Sequence, residues 1–394
     1  MELVWTSDLH FGLKTDGIDR NEEIFNVTLD VVKYACKLSK SGKDTRMVFG
    51  GDIFNTNQPS EDQIYLFTKI LAYLHKYGVK TYVLAGNHDA VFSRQRLSCL
   101  SFVKNIGHIS ENIELVQDIT CIKAKDTDLG PVFFTFLPHI SRAHISEKHK
   151  SPQDYVNKKT EAILKKMGKT ANHYVFSHLN VKGAHAGSEE SLLKKSEVYV
   201  PECLSEGMAD LPAIIQGHIH TPAIMGNINI VGSPIFCTFG EDTEIEKSFL
   251  HITIPEMFGE KEQWRSLPTS CTTFKQIELD LSDVDWKSND FFDLPQIKSF
   301  LKLEKNKKYH LKFDLTVNAH DCFLNFDNIR AKIENDFVKV KPIVPKYVRQ
   351  RITRSKEQKI GMNAVDSVKV FFKTNKPKRA KERFLLAKQY MGST

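Results

Sequence analysis

Five short apolar stretches of this chain each end in a carboxylate, an imidazole or a carboxamide, groups that ligate hard and borderline cations. Leu3-Val4-Trp5-Thr6 runs into Ser7-Asp8-Leu9-His10, and in an extended chain Asp8 and His10, two residues apart, leave the same face. Met47-Val48-Phe49 runs into Gly50-Gly51-Asp52, where the glycines let the backbone bend tightly just before the acid. Lys80-Thr81-Tyr82-Val83-Leu84 delivers Gly86-Asn87-His88-Asp89, with a carboxamide oxygen fit for a hard metal and His88 left over as an acid or hydrogen-bond donor. Tyr174-Val175-Phe176 leads to Ser177-His178, and Ala213-Ile214-Ile215 leads to Gly217-His218-Ile219-His220, which repeats the spacing of the opening pair.

One such strand end is a weak signal, because an aspartate after a strand is most often a turn residue. Five in one domain are hard to reconcile with chance. The set holds nitrogen and oxygen but no thiolate, which favours manganese, iron or zinc over an iron–sulfur centre. It is too large for one ion, and Asp52 is the carboxylate without a neighbour on its own strand. Asp52 is therefore expected to bridge two ions, which in such sites lie about 3.5–4 Å apart.

The elements that position these groups are read from periodicity. Helical spacing joins Val27, Val31, Tyr34, Ala35 and Leu38 over 26–39, then Ile64, Phe67, Ile70, Leu71 and Leu74 over 61–77. A third helix is expected over 93–106 from Leu97, Leu100, Val103 and Ile106; Arg94 and Arg96 on it could meet phosphates or be solvated charge. Val132 to Leu137 reads as a strand, with His139 beyond it as a supporting residue, and 141–169 is charged and helical in its second half. His185 is an incidental loop histidine on this reading. Further on, strands are expected over 273–281, 309–317 and 338–344, with helices over 295–303 and 326–337. A basic linker then precedes two amphipathic helices near 364–373 and 377–390, Pro377 suiting a first helical turn. Such a pair cannot bury its apolar faces alone and wants a partner surface.

Composition bounds the rest. The 394 residues suffice for two or three domains, and 41% hydrophobic with 26% charged residues describes an ordinary globular protein. No apolar run approaches a membrane span, no basic leader opens the chain, and seven scattered cysteines form no C-x-x-C pair. Free thiols in a reducing, cytoplasmic compartment are expected. Of the net charge of +7, residues 341–394 carry fifteen Lys and Arg against three acids, leaving 40 basic against 45 acidic side chains elsewhere. A basic tail on a mildly acidic body points to a polyanion or an acidic partner near the C-terminus.

In their order, D-x-H, G-D, G-N-H-D, H and G-H-x-H resemble the calcineurin-like metallophosphoesterases over roughly residues 1–255. Gly51-Asp52-Ile53-Phe54 with Pro59-Ser60, and Gly232-Ser233-Pro234 with Phe239-Gly240-Glu241, resemble the SbcD-type (Mre-eleven) DNA repair nucleases, most of all those of tailed phages. The resemblance implies an α/β (α+β) fold: a four-layer β-sandwich flanked by helices, with a small α+β capping domain and a C-terminal helical pair. Its boundaries would be 1–258 for the nuclease domain, 268–346 for the DNA-capping domain and 347–394 for the linker and helix pair. It implies Asp8, His10, Asp52 and His220 on one metal, Asp52, Asn87, His178 and His218 on the other, and His88 as the residue that stabilises the transition state or protonates the leaving oxygen. Asn55 stands where some relatives carry a histidine.

The function implied is a nuclease with two manganese ions, magnesium, iron or zinc being alternatives, cutting double-stranded DNA as a 3′–5′ exonuclease and endonuclease. It would work as a homodimer, through a helix pair within 61–106, with an SbcC-like (Rad-fifty) ABC-type ATPase, in a host cytoplasm if viral. Two other functions compete: a metallophosphatase or small-molecule phosphodiesterase, which gives no reason for the helical pair, and a non-catalytic DNA-tethering scaffold, against which the full ligand set speaks.

Overall fold

The computed structural model describes residues 1–90, 98–145, 148–167, 172–184, 198–205, 212–241, 244–285, 290–301, 308–318, 324–334 and 338–348, with 366, 368–370 and 373. Two compact units divide the chain. One takes Met1–Glu278, Phe291–Asp314 and Asn325–Val344; the other takes Leu279–Asp290, Leu315–Leu324 and Pro345–Thr394.

The first unit opens with β1 (Glu2–Thr6), a small hairpin of β2 (Lys14–Thr15) and β3 (Ile18–Asp19), and α1 (Asn21–Lys40). Next come β4 (Thr45–Phe49), α2 (Glu61–Lys76), β5 (Lys80–Leu84), α3 (Ser101–Ile109) and β6 (Ile113–Val116). β1, β4, β5 and β6 pair side by side in parallel, so their C-terminal ends share one edge. The chain then builds β7 (Thr120–Thr127), β8 (Gly130–Leu137), α4 (Pro152–Met167), β9 (Asn172–Ser177), α5 (Glu202–Ser205), β10 (Ala213–Gln216), β11 (Ala223–Met225) and β12 (Ile228–Ile230). These strands form a second sheet ordered β11-β12-β10-β9-β8-β7. Last, β13 (Ser248–Thr253) and β14 (Gln263–Pro268) return to the first sheet, β13 lying antiparallel beside β1.

Side chains explain why the sheets stack. All five residues of β1 are buried because both its faces are covered. Leu3 and Trp5 meet Phe134, Phe136, Phe176 and Ile215 of the second sheet, while Val4 turns to Val27, Val31, Phe67 and Leu71 of α1 and α2. On the far side of the second sheet, Val175 and Ile214 pack with Val156 of α4. Helices, sheet, sheet and helices make four layers, as expected.

Beyond β14 come β15 (Thr273–Asp280), α6 (Pro295–Leu301), β16 (Tyr309–Asn318), α7 (Phe326–Ile333), β17 (Val338–Val340) and β18 (Lys346–Val348). The start of β16 pairs with β17 and its end, Thr316–Asn318, with β18. Some boundaries move. The helix expected over 93–106 starts at Ser101, where the Ser98 hydroxyl accepts the Leu100 N–H in a turn; 91–97 lie outside the described residues. The strand expected to Val344 stops at Val340, with Pro342 and Pro345 unable to donate to a ladder. No helix among the described residues is long and apolar enough to cross a membrane.

Candidate metal centre

Each expected site residue follows a strand of one of the two stacked sheets: β1 leads to Asp8 and His10, β4 to Asp52 and β5 to Asn87 and His88 in the first, β9 to His178 and β10 to His218 and His220 in the second. The chain turns there by leaving ordinary backbone space. Among the described residues five non-glycines have positive φ, and four are Asp8 (57°), His10 (53°), Asp52 (49°) and His218 (70°). Such conformations cost of order 1 kcal/mol or more each and persist only where the surroundings over-determine them. Here the loops hold one another. The Asp8 N–H donates to Gly51 O at 3.0 Å, the His10 N–H to Asp52 O at 3.0 Å, and the Gly217 N–H to Ser177 O at 2.9 Å. Carboxylates add to this: Asp8 accepts the His218 N–H at 3.0 and 3.1 Å, and Asp52 Oδ1 accepts the His88 N–H at 2.8 Å.

Two glycines make room. A Cβ on Gly51, whose φ is +104°, would lie 2.3 Å from His178 Nδ1, and one on Gly86 would lie 2.1 Å from Asp52 Oδ1.

All eight residues converge. His10 Nε2 and His220 Nε2 are 3.1 Å apart, and their ligand atoms lie within 4.8 Å of one another and of Asp8. The ligand atoms of Asp52, His178 and His218 form another such group, and those of His10, Asp52 and His88 a third. Asp52 Oδ2 stands between, 3.3 Å from His178 Nε2 and 3.9 Å from His10 Nε2. Asn87 Oδ1 joins at 3.0 Å from His178 Nε2. Asp8, Asp52, His10 and His178 are all at most 2% exposed.

Ring orientations fit cations. His178 Nδ1 lies 2.6 Å from Gly50 O; a carbonyl only accepts, so Nδ1 carries a proton and Nε2 is the nitrogen that faces the centre. His218 Nε2 meets Asn180 Oδ1 at 2.9 Å, which leaves Nδ1 buried with no hydrogen-bond partner. Asp52 Oδ2 is likewise buried without a hydrogen bond of good geometry. Imidazole, carboxylate and carboxamide donors of this kind suit divalent first-row metals.

The field is steep. Burial alone would raise Asp52, yet His178, His88 and His10 hold it well below the usual carboxylate range. Burial likewise opposes charge on His178, but the Asp52 carboxylate outweighs it and lifts the ring to about 9. Burial, with His178 beside it, takes His218 down to about 3, and burial keeps Asp8 above its ordinary value.

Other residues have roles that spacing did not reveal. Asp89 is fully buried, and its carboxylate accepts the N–H groups of Ile53 and Phe54 at 3.1 Å and of Gly86 at 3.0 Å, so it ties the loops after β4 and β5 together. Burial and then Asp52 raise it to about 6. Its place as the last residue of Gly86-Asn87-His88-Asp89 was the available signal. Asn180 had none. Asn55 contributes its main-chain oxygen, which takes the His88 Nδ1 proton at 2.7 Å, so its side-chain identity does not enter this bond. His139 sits at the site's margin, its N–H on Ala85 O at 2.9 Å. Arg94, Arg96 and His185 lie outside the described residues.

The sequence profile of the calcineurin-like phosphoesterases matches residues 1–222, more than half of the chain and every expected ligand. The chain belongs to that family. As a calcineurin-like phosphoesterase it is a metal-dependent hydrolase of phosphoesters, of the layered α/β fold described above. Two curated relatives extend the likeness over most of the phosphoesterase's length. Exonuclease subunit 1 of Enterobacteria phage T4 is 21% identical over 350 residues, 87% of this chain and 90% of the relative. The SbcD component of the nuclease SbcCD of Staphylococcus epidermidis is 23% identical over 345 residues, 84% of each. Among solved structures, a dimetal phosphatase from Danio rerio aligns over 68% of this phosphoesterase and 96% of its own chain, at 12% identity and a TM-score of 0.41.

Proposed function

We propose that this phosphoesterase is a two-metal DNA nuclease, a 3′–5′ exonuclease and endonuclease acting on double-stranded DNA ends. The observation that carries the proposal is the position of Asp52, a buried carboxylate between two groups of nitrogen and oxygen donors. One ion would be held by Asp8, His10, Asp52 and His220, the other by Asp52, Asn87, His178 and His218. Manganese is the ion proposed, with magnesium, iron and zinc admitted by the same donors. Bound there, two cations would neutralise the phosphate, orient it and polarise the attacking water.

The chain supplies the rest. His88 is the proposed proton donor to the leaving oxygen, because two contacts fix it: its N–H on Asp52 Oδ1 and its ring Nδ1 on Asn55 O. The ring stands edge-on to His10, with centroids 4.8 Å apart, within reach of a phosphate seated over both ions. Asp89 keeps that loop in place.

DNA as the substrate is supported by the two relatives, one described as part of an exonuclease and the other as part of a nuclease. That both are described as subunits supports a partner, proposed to be an SbcC-like ATPase gripped by the basic C-terminal segment 347–394. Of its two expected helices, Asp366, Val368–Val370 and Lys373 are helical, and the remainder lies outside the described residues. Residues 268–346 are proposed as the DNA-capping domain, the 61–106 region as the homodimer surface, and a cytoplasm as the site of action, in keeping with six free thiols among the described cysteines.

Purified protein supplied with manganese should degrade linear duplex DNA, and Asp52→Ala or His88→Ala should abolish this. Cleavage retained by both variants would refute the assignment. Hydrolysis of nucleotides with no attack on DNA would favour a small-molecule phosphodiesterase instead.

A further inference from the structure

The loop that carries His220 is clasped by a buried ammonium group. The Lys247 side chain is 2% exposed, and its ammonium group has two hydrogen-bond acceptors and one carboxylate counter-charge. They are His220 O at 2.9 Å, Ser233 Oγ at 3.0 Å and Glu241 Oε2 at 2.6 Å. The Ser233 N–H reaches the same His220 carbonyl at 3.2 Å. A Cβ on Gly232 would stand 2.8 Å from that oxygen, so the glycine lets the chain close over it. The other Glu241 oxygen accepts the N–H groups of Cys237 and Thr238 at 2.6 and 2.9 Å. No helix or strand holds the described residues between β12 and β13. Their order comes from these contacts.

A buried ion pair is a poor source of stability, and apolar residues of the same size often serve better. What an apolar side chain cannot do is fix a main-chain oxygen. His218, two residues before His220, is held by other means, the Asp8 carboxylate and Asn180. The two histidines thus have separate supports.

We propose that Lys247 is a positioning residue for one half of the metal pair. By fixing the backbone of His220 it sets the affinity of the ion held by Asp8, His10, Asp52 and His220, and it leaves the ion held by Asp52, Asn87, His178 and His218 unaffected. This rests on the two-ion site proposed above. It also gives a task to Gly232-Ser233-Pro234 and Phe239-Gly240-Glu241, which together form the cup for the ammonium.

The test is a manganese titration of the full chain, with free Mn2+ followed by electron paramagnetic resonance. The variants are Lys247→Met and the double variant Lys247→Met with Glu241→Gln, the latter removing both charges so that neither is left buried alone. Two ions are expected on the unaltered chain. Each folded variant should keep one at its original affinity and bind the other about 10- to 100-fold more weakly, the usual range when a ligand's support is lost. Two ions bound as tightly as before would overturn the proposal. So would equal weakening of both, or loss of folding in both variants, since either marks a merely structural lysine. Fewer than two ions on the unaltered chain would instead overturn the two-ion site itself, and this inference with it.

Discussion

At the scale of single residues, the centre is sensitive to one added carbon. The absent side chain of Gly51 is the space His178 Nδ1 occupies, 2.3 Å from where a Cβ would be. Gly51→Ala should therefore act as though the imidazole itself were displaced. Phosphodiester hydrolysis should fall about 100-fold, the scale of a 1 Å misplacement, matching His178→Ala in steady-state rate measurements. Gly42→Ala is the control: its Cβ would meet nothing within 4 Å, and although its φ of +84° strains the fold, the rate should stay unchanged.

At the scale of elements, Asp89 joins the loops that follow β4 and β5. Asp89→Asn keeps the size but turns an N–H2 group toward one backbone donor, Phe54 if Oδ2 keeps its bonds to Ile53 and Gly86. About 1–3 kcal/mol of stability should be lost, readable as a lower midpoint in urea. β1, β4, β5, β9 and β10 were legible in the sequence because central strands buried on both faces read as unbroken apolar runs. β7 was not, since only part of each residue of Thr120–Thr127 is covered and the run looks like polar surface. β11 and β12 are three residues each, too short for a periodicity to register, and β13 lies beyond the last of the expected ligands. The ligands could be named from spacing, but the left-handed backbone that aims them could not. It follows from hydrogen bonds between loops far apart in sequence.

At the scale of the whole molecule, Arg20 is a buried cation outside the expected ligand set. Its guanidinium donates to the Glu23 carboxylate at 2.8 Å and to Phe236 O at 2.9 Å, over the ring of Phe274 at 4.8 Å. Glu23 in turn accepts from the Thr272 N–H and from His310 Nε2 at 3.1 Å. Burial would raise Glu23, but His310 and Arg20 bring it down to about 2 from an ordinary 4.5. A depressed carboxyl contributes stability that is present above pH 4.5 and lost as the pH falls toward 2, here on the order of 3 kcal/mol. The unfolding temperature should drop through that window, and Glu23→Gln should remove much of the dependence while lowering stability at neutral pH. Chelation is a second global test. Restoring manganese at 100 times its dissociation constant should add about 2.7 kcal/mol per site, read as a rise in unfolding temperature.

The peptide groups that knit these loops, His10 to Asp52 and Gly217 to Ser177, have one more consequence. A cradle joined by its own main chain does not owe its shape to its cargo, so one divalent species can be traded for another by dialysis. Cobalt, coloured and paramagnetic, would then turn a silent pair of positions into a chromophore whose spectrum reports each arriving substrate.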